Sequence, residues 1–261
     1  MDKEKVRGKT QPPVLIGMVC SLLIVLFGIY NICRTASQGG QERREYAAPG
    51  DMASPAEDLA GFDTQLPLPD TEVELTPFKK QNPDTVGWLY YPDLRINGPI
   101  LQDDNNRYYA RHTFSGERDA AGSIFLDCMA SDDFDDMHTV VYGRGAQDMG
   151  MFGGLEGIRE MHEEELSPYF WVFTQEGTCT YRVVSWYESD AEEDTFQTVF
   201  EDAEDYSGFL SYIQDRAEEG MDADLAVSDR ILTLSTWTDG SSACLAVHGV
   251  LVGRTAARER F

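Results

Sequence analysis

Apolar and polar residues alternate most regularly near the end of the chain, in residues 231–252. Two runs of this kind, 231–237 and 244–252, are rich in β-branched residues and are separated by a polar Thr-Asp-Gly-Ser-Ser connection. Because successive side chains of a β-strand point to opposite faces, this pattern predicts two neighbouring strands joined by a loop.

Further short apolar runs, separated by turn residues, predict the other strands of the fold. They cover residues 86–91, 98–101, 122–127, 139–142, 169–174 and 178–187, in addition to 231–236 and 244–252. Seven or eight short strands of this kind predict a mostly β fold, either a closed barrel or a sandwich. We therefore expect a β domain with only a few helices at its periphery.

One longer segment has the period of a helix. Residues 203–219 carry apolar side chains at Tyr206, Phe209, Leu210 and Ile213, a spacing of three and four on an otherwise acidic segment. This narrow stripe predicts an amphipathic helix that packs on the β domain. A short helix or turn is also expected in residues 76–84.

The N-terminal part of the chain has the pattern of a membrane anchor. Residues 14–33 contain no charge and follow a short basic segment. At about 1.5 Å per residue, twenty helical residues span the roughly 30 Å of hydrocarbon in a bilayer. A cleaved signal peptide is the alternative, but its apolar region is about 7 to 15 residues long. The length favours an uncleaved anchor in residues 13–34.

The anchor sets the expected organisation of the whole chain. Residues 1–12 form a predicted cytoplasmic tail, because basic residues before the span favour the cytoplasmic side. Residues 35–71 are rich in Gly, Pro, Ala and Asp and have no sustained period, so they predict an extracellular linker. The folded domain is expected over residues 72–261, outside the cell. We thus predict a single-pass protein of the cell membrane.

Charge and cysteine content exclude several classes of function. The net charge is −25, and the first 34 residues hold five basic and two acidic residues, so the remainder is more acidic still. Such a surface repels phosphate backbones, which argues against nucleic acid as a partner. Outside the apolar segment the cysteines are Cys128, Cys179 and Cys244, which have neither metal-ligand nor disulfide spacing. The sequence predicts no cofactor and no bound metal.

Five segments, in order, resemble the class B sortase family of cysteine transpeptidases. They are NPDTVGWL from residue 82, GPILQ from residue 98 with NRYY from residue 106, GSIFLD from residue 122, VVYG from residue 140 with MF at 151, and LTLST from residue 232. The resemblance covers about residues 74–254. It implies an eight-stranded sortase-type β-barrel, an N-terminal signal anchor and the outer face of a Gram-positive bacterium.

The resemblance also implies a reaction. Sortases cut a sorting signal near the C-terminus of a surface protein, hold the acyl group as a thioester on cysteine, and pass it to an amine of the cell wall or of a pilus. The cysteine is the nucleophile, a histidine transfers the proton, and an arginine donates to the developing oxyanion. In the family the histidine follows Tyr-Gly, the cysteine follows Leu-Ser-Thr, and the arginine opens the next strand. In this chain the matching positions are Arg144, Trp237 and Cys244.

None of the three residues suits the family's chemistry. Trp237 has an indole N–H but no nucleophile. Arg144 stays protonated near neutral pH and cannot transfer a proton, and Cys244 carries no positive charge for an oxyanion. Because each substitution falls on a matched catalytic position while the flanking motifs are kept, we expect a barrel without ordinary sortase turnover. A sorting-signal peptide remains the expected ligand, in a groove that includes Ser235, Thr236 and Tyr142.

Two alternatives stay open at this stage. One is an active transpeptidase with a rearranged site, in which Cys244 is the nucleophile and His248 lies on the same strand face, about 13 Å away by strand geometry. The other is a cell-surface scaffolding module. Cys128 and Cys179 are interpreted as structural residues. The remaining histidines, which are His112, His138 and His162, are expected on the surface or in loops.

Overall fold

The computed structural model describes residues 66–145, 151–159, 167–190, 193–217, 223–237 and 243–257, with the backbone alone of Ser54–Pro55 and Trp237. The predicted tail and membrane anchor, and nearly all of the linker, lie outside these residues, so those assignments stay predictions. All described residues belong to the second of the two units into which the chain divides, residues 43–261. Across the part of the chain that is described, no helix has both the length and the apolar character needed to cross a membrane.

Eight antiparallel and parallel strands close into a barrel, which confirms the predicted architecture. They are β3 (Thr85–Tyr91), β4 (Ile96–Leu101), β5 (Ile124–Leu126), β6 (His138–Arg144), β7 (Tyr169–Phe173), β8 (Gly177–Asp190), β9 (Ile231–Trp237) and β10 (Ala243–Ala256). Around the barrel the order is β10, β8, β7, β3, β4, β5, β6, β9, and β9 pairs with β10 to close it.

The two strands predicted from residues 231–252 are neighbours, as expected. β9 and β10 pair in antiparallel register with Ser235 opposite Ala246 and Thr233 opposite His248. On its other side β9 pairs in parallel with β6, which places Tyr142 beside Ser235. The strand that carries Leu-Ser-Thr therefore lies between β6 and β10.

The barrel interior and its outer surface hold separate apolar clusters. The interior is filled by large side chains such as Phe170, Phe152 and Leu234, none of which is accessible to solvent. Phe170 stacks on Tyr181 with ring centroids 5.2 Å apart. Burial of this kind contributes roughly 25 cal/mol per Å² of apolar surface, so the interior is the main source of stability.

The predicted amphipathic helix covers part of the outer surface. Helix α2 (Ala203–Asp215) begins at Asp202, whose carboxylate accepts from the amides of Glu204 and Asp205. An acidic N-cap satisfies free amides and suits the positive end of the helix dipole. The stripe packs on the barrel as predicted, because Tyr206, Phe209, Leu210 and Ile213 are all buried.

Smaller elements complete the domain. Helix α1 (Thr76–Gln81) occupies the predicted helical or turn segment, and 3-10 helices span Gly153–Arg159 and Asp194–Phe196. A two-stranded sheet pairs β1 (Ser54–Pro55) with β2 (Thr71–Glu72). Contacts with the barrel begin before the predicted boundary at residue 72, since Trp171 donates to the carbonyl of Pro67 and Tyr90 to the carboxylate of Asp70.

Candidate functional site

The three positions matched to the family's catalytic residues lie in one row across three adjacent strands. Arg144 on β6 is the register partner of Trp237 on β9. The pairing of β9 with β10 ends at Ser235 and Ala246, and counting two residues further along each strand puts position 244 across from position 237. Side chains at paired positions share a face of the sheet and lie about 5 Å apart at Cβ. Positions 144, 237 and 244, which we call the row, therefore share the outer face of the barrel.

The next layer of the same face contains Tyr142, Ser235 and Ala246, which are also register partners. The Tyr142 hydroxyl donates to the carboxylate of Asp127 at 3.3 Å. Burial and the Asp127 charge raise the pKa of Tyr142, so it remains a neutral donor. The ring of Tyr142 lies 6.3 Å from that of Phe196, at the 3-10 helix that precedes α2.

Asp127 is a buried carboxylate whose oxygens are occupied by other groups. Its Oδ2 also accepts from the side-chain amide of Asn106 at 2.8 Å, and its Oδ1 accepts from the amide of Met129 at 2.9 Å. Asn106 in turn accepts from the amide of Cys128. Tyr142 is therefore held by a network of hydrogen bonds through Asp127 and Asn106, and none of the predicted catalytic residues belongs to this network.

The environment of Cys244 is acidic. Its thiol donates to the carbonyl of Ser189 at 3.2 Å, and the side chain is 9% exposed. Burial raises the pKa of the thiol, a hydrogen bond with Ser235 lowers it, and the charges of Asp190 and Glu193 raise it again. The net shift is upward. A cationic or imidazole partner, which lowers the pKa of reactive cysteines, is not among these groups.

Arg144 is held at the rim of the row. Its guanidinium donates to the carbonyl of Ala120, in the loop before β5. The residue is half-buried. The side chain predicted to replace a proton-transferring imidazole is thus a permanent cation with a backbone contact of its own.

The two predicted groove residues on β9 point to opposite faces. Ser235 is buried on the outer face, beside Tyr142. Thr236 follows it and, by strand alternation, belongs to the other face. Its hydroxyl accepts from the amide of Leu245 at 2.8 Å and so fixes the end of the β9–β10 pairing. Only Ser235 and Tyr142 of the predicted groove set share the face of the row.

The prediction of a surface or loop position was wrong for His138. It opens β6, is 1% exposed, and contacts the hydroxyl of Thr233 at 2.7 Å, which in turn contacts His248 at 2.7 Å. His138 lacked an evident partner because Thr233 lies 95 residues away in sequence. His112 is partly exposed in a loop and stacks on Tyr108. His162 lies outside the described residues.

A concave surface lies near the end of β8. This cleft has a volume of about 540 Å³ and is lined by Arg159, Trp186, Tyr187, Glu188 and Arg216. Its arginines are paired, Arg159 with Glu188 and Arg216 with Glu193. Of its lining residues, Tyr187 is opposite Ala246 on the outer face, whereas Trp186 and Glu188 are opposite Val247 and Leu245, which belong to the barrel interior.

The cysteines and acidic residues of the described ranges form neither a disulfide nor a metal site. Cys128, Cys179 and Cys244 are free thiols. Within those ranges no three His, Cys, Asp or Glu side chains are grouped as metal ligands. Cys179 is buried in the barrel interior and Cys128 is partly exposed.

Known proteins similar to this chain are sortases. Sortase B of Listeria monocytogenes is 32% identical over 165 residues, which are 62% of this chain and 66% of that protein, so the match spans slightly less than two thirds of the relative's length. Sortase B of Staphylococcus aureus is 28% identical over 228 residues, 87% of this chain and 90% of that protein. No protein-family model matches the chain.

Solved structures agree with these relatives. A complex of Staphylococcus aureus sortase B with a substrate matches at a TM-score of 0.63 and 28% identity, over 67% of this chain and 83% of the other. The eight-stranded barrel with few helices is thus the sortase fold. The two relatives and the solved structure that this chain resembles are all sortase B proteins.

Proposed function

We propose that this chain is a membrane-anchored, extracellular class B sortase-like protein that binds a sorting-signal peptide but lacks ordinary sortase turnover. One observation carries the proposal: the row holds arginine, tryptophan and cysteine at the positions that the sequence resemblance matches to the family's histidine, cysteine and arginine. The membrane anchor rests on residues 14–33 of the sequence alone.

The chemistry of the row supports the absence of turnover. An indole cannot form a thioester, and a guanidinium cannot accept a proton near neutral pH. At the third position the neutral thiol of Cys244 is a weak donor, where the family has a cation for the oxyanion. Loss of one oxyanion donor alone costs on the order of 100- to 1000-fold in turnover in other enzymes.

Peptide binding is supported by the surface that remains around the row. Tyr142 and Phe196 provide aromatic area, and Ser235 is the neighbour of Tyr142 on the same face. The cleft at the end of β8 includes Tyr187, the register partner of Ala246 in the same layer. The related Staphylococcus aureus sortase B has been solved with a substrate. Aromatic side chains with a few polar groups are typical of ligand-binding sites.

The direct test is incubation of the full-length chain, in detergent, with a panel of sorting-signal peptides and amine acceptors. We expect no peptide cleavage above a no-protein control and no acyl adduct by intact-mass spectrometry, while fluorescence anisotropy detects binding of at least one peptide. Cleavage or a thioester adduct would overturn the loss of turnover. If no peptide binds, the scaffolding alternative is favoured.

The rearranged-site alternative makes a different prediction for Cys244. A catalytic thiol is reactive because its pKa is lowered, whereas burial and nearby carboxylates raise that of Cys244. We therefore expect Cys244 to react with a maleimide at neutral pH more slowly than the partly exposed Cys128. Peptide-resolved mass spectrometry measures each cysteine separately. Labelling of Cys244 faster than in the urea-unfolded chain would support the rearranged site instead.

A further inference from the structure

A chain of buried hydrogen bonds joins three strands on the outer face of the barrel. Thr233 Oγ1 on β9 lies 2.7 Å from His138 Nε2 on β6 and 2.7 Å from His248 Nδ1 on β10. At the far end, His138 Nδ1 is 2.6 Å from the carbonyl oxygen of Gln197, just after the 3-10 helix. All three linked side chains are at most 1% exposed.

The carbonyl at the end of the chain, together with a neutral His138 as its burial favours, sets the direction of each hydrogen bond. A carbonyl only accepts, so His138 donates its Nδ1–H to Gln197. Neutral His138 then accepts at Nε2 from the Thr233 hydroxyl. Because that hydroxyl has given its only hydrogen, it accepts from the Nδ1–H of His248. In this arrangement both histidines carry their hydrogen on Nδ1, and among the described residues none donates to His248 Nε2.

The surroundings of the chain favour these neutral forms. Phe209 of α2 packs 4.5 Å from the ring of His138, and Tyr187 of β8 packs 5.2 Å from the ring of His248. Burial lowers the pKa of His138 to about 4, and the hydrogen bond with the Gln197 carbonyl and the charge of Asp127 act in the opposite direction. Burial and the neighbouring imidazole hold the pKa of His248 well below its usual value.

The three linked strands are the strands that carry the row. Position 144 lies on β6 with His138, position 237 on β9 with Thr233, and position 244 on β10 with His248. Thr233 and His248 lie four residues from their row positions, about 13 Å along the strand. Gln197 follows Phe196, whose ring faces Tyr142 in the layer between the hydrogen bonds and the row.

We propose that Thr233, with His138 and His248, is a positioning residue for the row. Its hydroxyl holds β6, β9 and β10 in one register and ties them to the segment at Gln197, which fixes the relative placement of positions 144, 237 and 244. A single register matters here because a slip of one residue moves a whole strand's side chains to the other face. The inference concerns the geometry of the row and does not depend on what the row binds.

The test compares Thr233→Val, which keeps the shape but removes the hydroxyl, with Thr233→Ser, which keeps the hydroxyl. The full-length chain is labelled with N-ethylmaleimide at constant pH, and peptide-resolved mass spectrometry follows Cys244 near the row and Cys179 in the barrel interior. Loss of the hydroxyl leaves two buried groups without a partner, so we expect Thr233→Val to raise the labelling rate of Cys244 about 10-fold or more over Thr233→Ser. The rate at Cys179 should not change.

Nitrogen NMR of the imidazoles supplies a second measurement that a simple packing role would not predict. Wild type and Thr233→Ser should both show His138 and His248 with the hydrogen on Nδ1. An Nε2–H form of either histidine overturns the proposal. So do equal Cys244 rates in the two variants, or a rise at Cys179 that matches the rise at Cys244. If Thr233→Val does not fold, the NMR result on wild type and Thr233→Ser decides.

Discussion

The triple variant Arg144→His, Trp237→Cys and Cys244→Arg is expected to gain sortase turnover, on the order of 1000-fold or more above the wild-type chain. Each single and double variant should stay near background, because a nucleophile, a proton carrier and an oxyanion donor act as a unit and their effects do not add. Cleavage of a sorting-signal peptide, measured by mass spectrometry, reports the gain.

The structure gives this variant a favourable geometry. Position 237 on β9 lies between positions 144 and 244 on the two flanking strands, so each flanking side chain is about 5 Å from the central one at Cβ and about 10 Å from the other. The acidic surroundings that raise the pKa of Cys244 would pair with a guanidinium at that position, since Asp190 and Glu193 are nearby. A neighbouring cation and imidazole would in turn favour a thiolate at position 237.

A matched control separates catalysis from a change in folding. The same triple variant with serine in place of cysteine at position 237 keeps the shape and charge of the site but lacks the thiol, and it should remain at background. Circular dichroism and thermal unfolding establish that both variants fold. A folded cysteine variant that is inert on every peptide and acceptor tried would contradict the assignment of the three positions.

Acid is expected to destabilise the domain through its buried histidines. A histidine that stays neutral when folded takes up a proton near pH 6.5 when unfolded, and the pKa of His138 in the folded chain is about 4. The stability from this group is fully present above pH 6.5 and is lost as the pH falls towards 4. This difference between the folded and unfolded pKa values corresponds to about 3 kcal/mol in the free energy of unfolding. The pKa of His248 is lowered in the folded chain as well.

The measurement is urea unfolding of the full-length chain at several pH values between 7.5 and 4. Many carboxylates also titrate in this range, so the wild type is compared with His138→Gln, whose amide can donate and accept but does not change charge. We expect the wild type to lose stability relative to this variant as the pH falls. If the difference between the two is constant with pH, the pKa of His138 is not lowered in the folded chain.

The sequence predicted the strands well because their signal is local. Alternation and β-branched residues placed the centres of all eight strands, and the apolar stripe placed α2. The observed ends of several strands and of the helix differ from the predicted ends by a few residues, for local reasons. Gly122, with a φ of 65°, lies outside β5, which begins at Ile124. The helix ends at Asp215 rather than at residue 219.

For the site, the sequence motifs predicted which positions belong to it but not how those positions are arranged in space. Motif order assigned positions 144, 237 and 244, but their side-by-side placement depends on the register of β6, β9 and β10, which no local pattern contains. The burial of His138 was missed for the same reason. Its partners, Thr233 and Gln197, are 95 and 59 residues away in sequence, and no local pattern around a histidine at the start of a strand indicates such distant partners.

The parallel pairing of β6 with β9 has a consequence for how the molecule assembles. Arg144 and Trp237 become neighbours only after the chain between them, which includes β7, β8 and α2, has closed a long loop. Contacts of such high sequence separation form slowly and late. The groove is therefore completed when the last two strands dock, and until then β6 presents an unpaired edge that can join another chain. A ligand of this surface can therefore bind only after the barrel has closed.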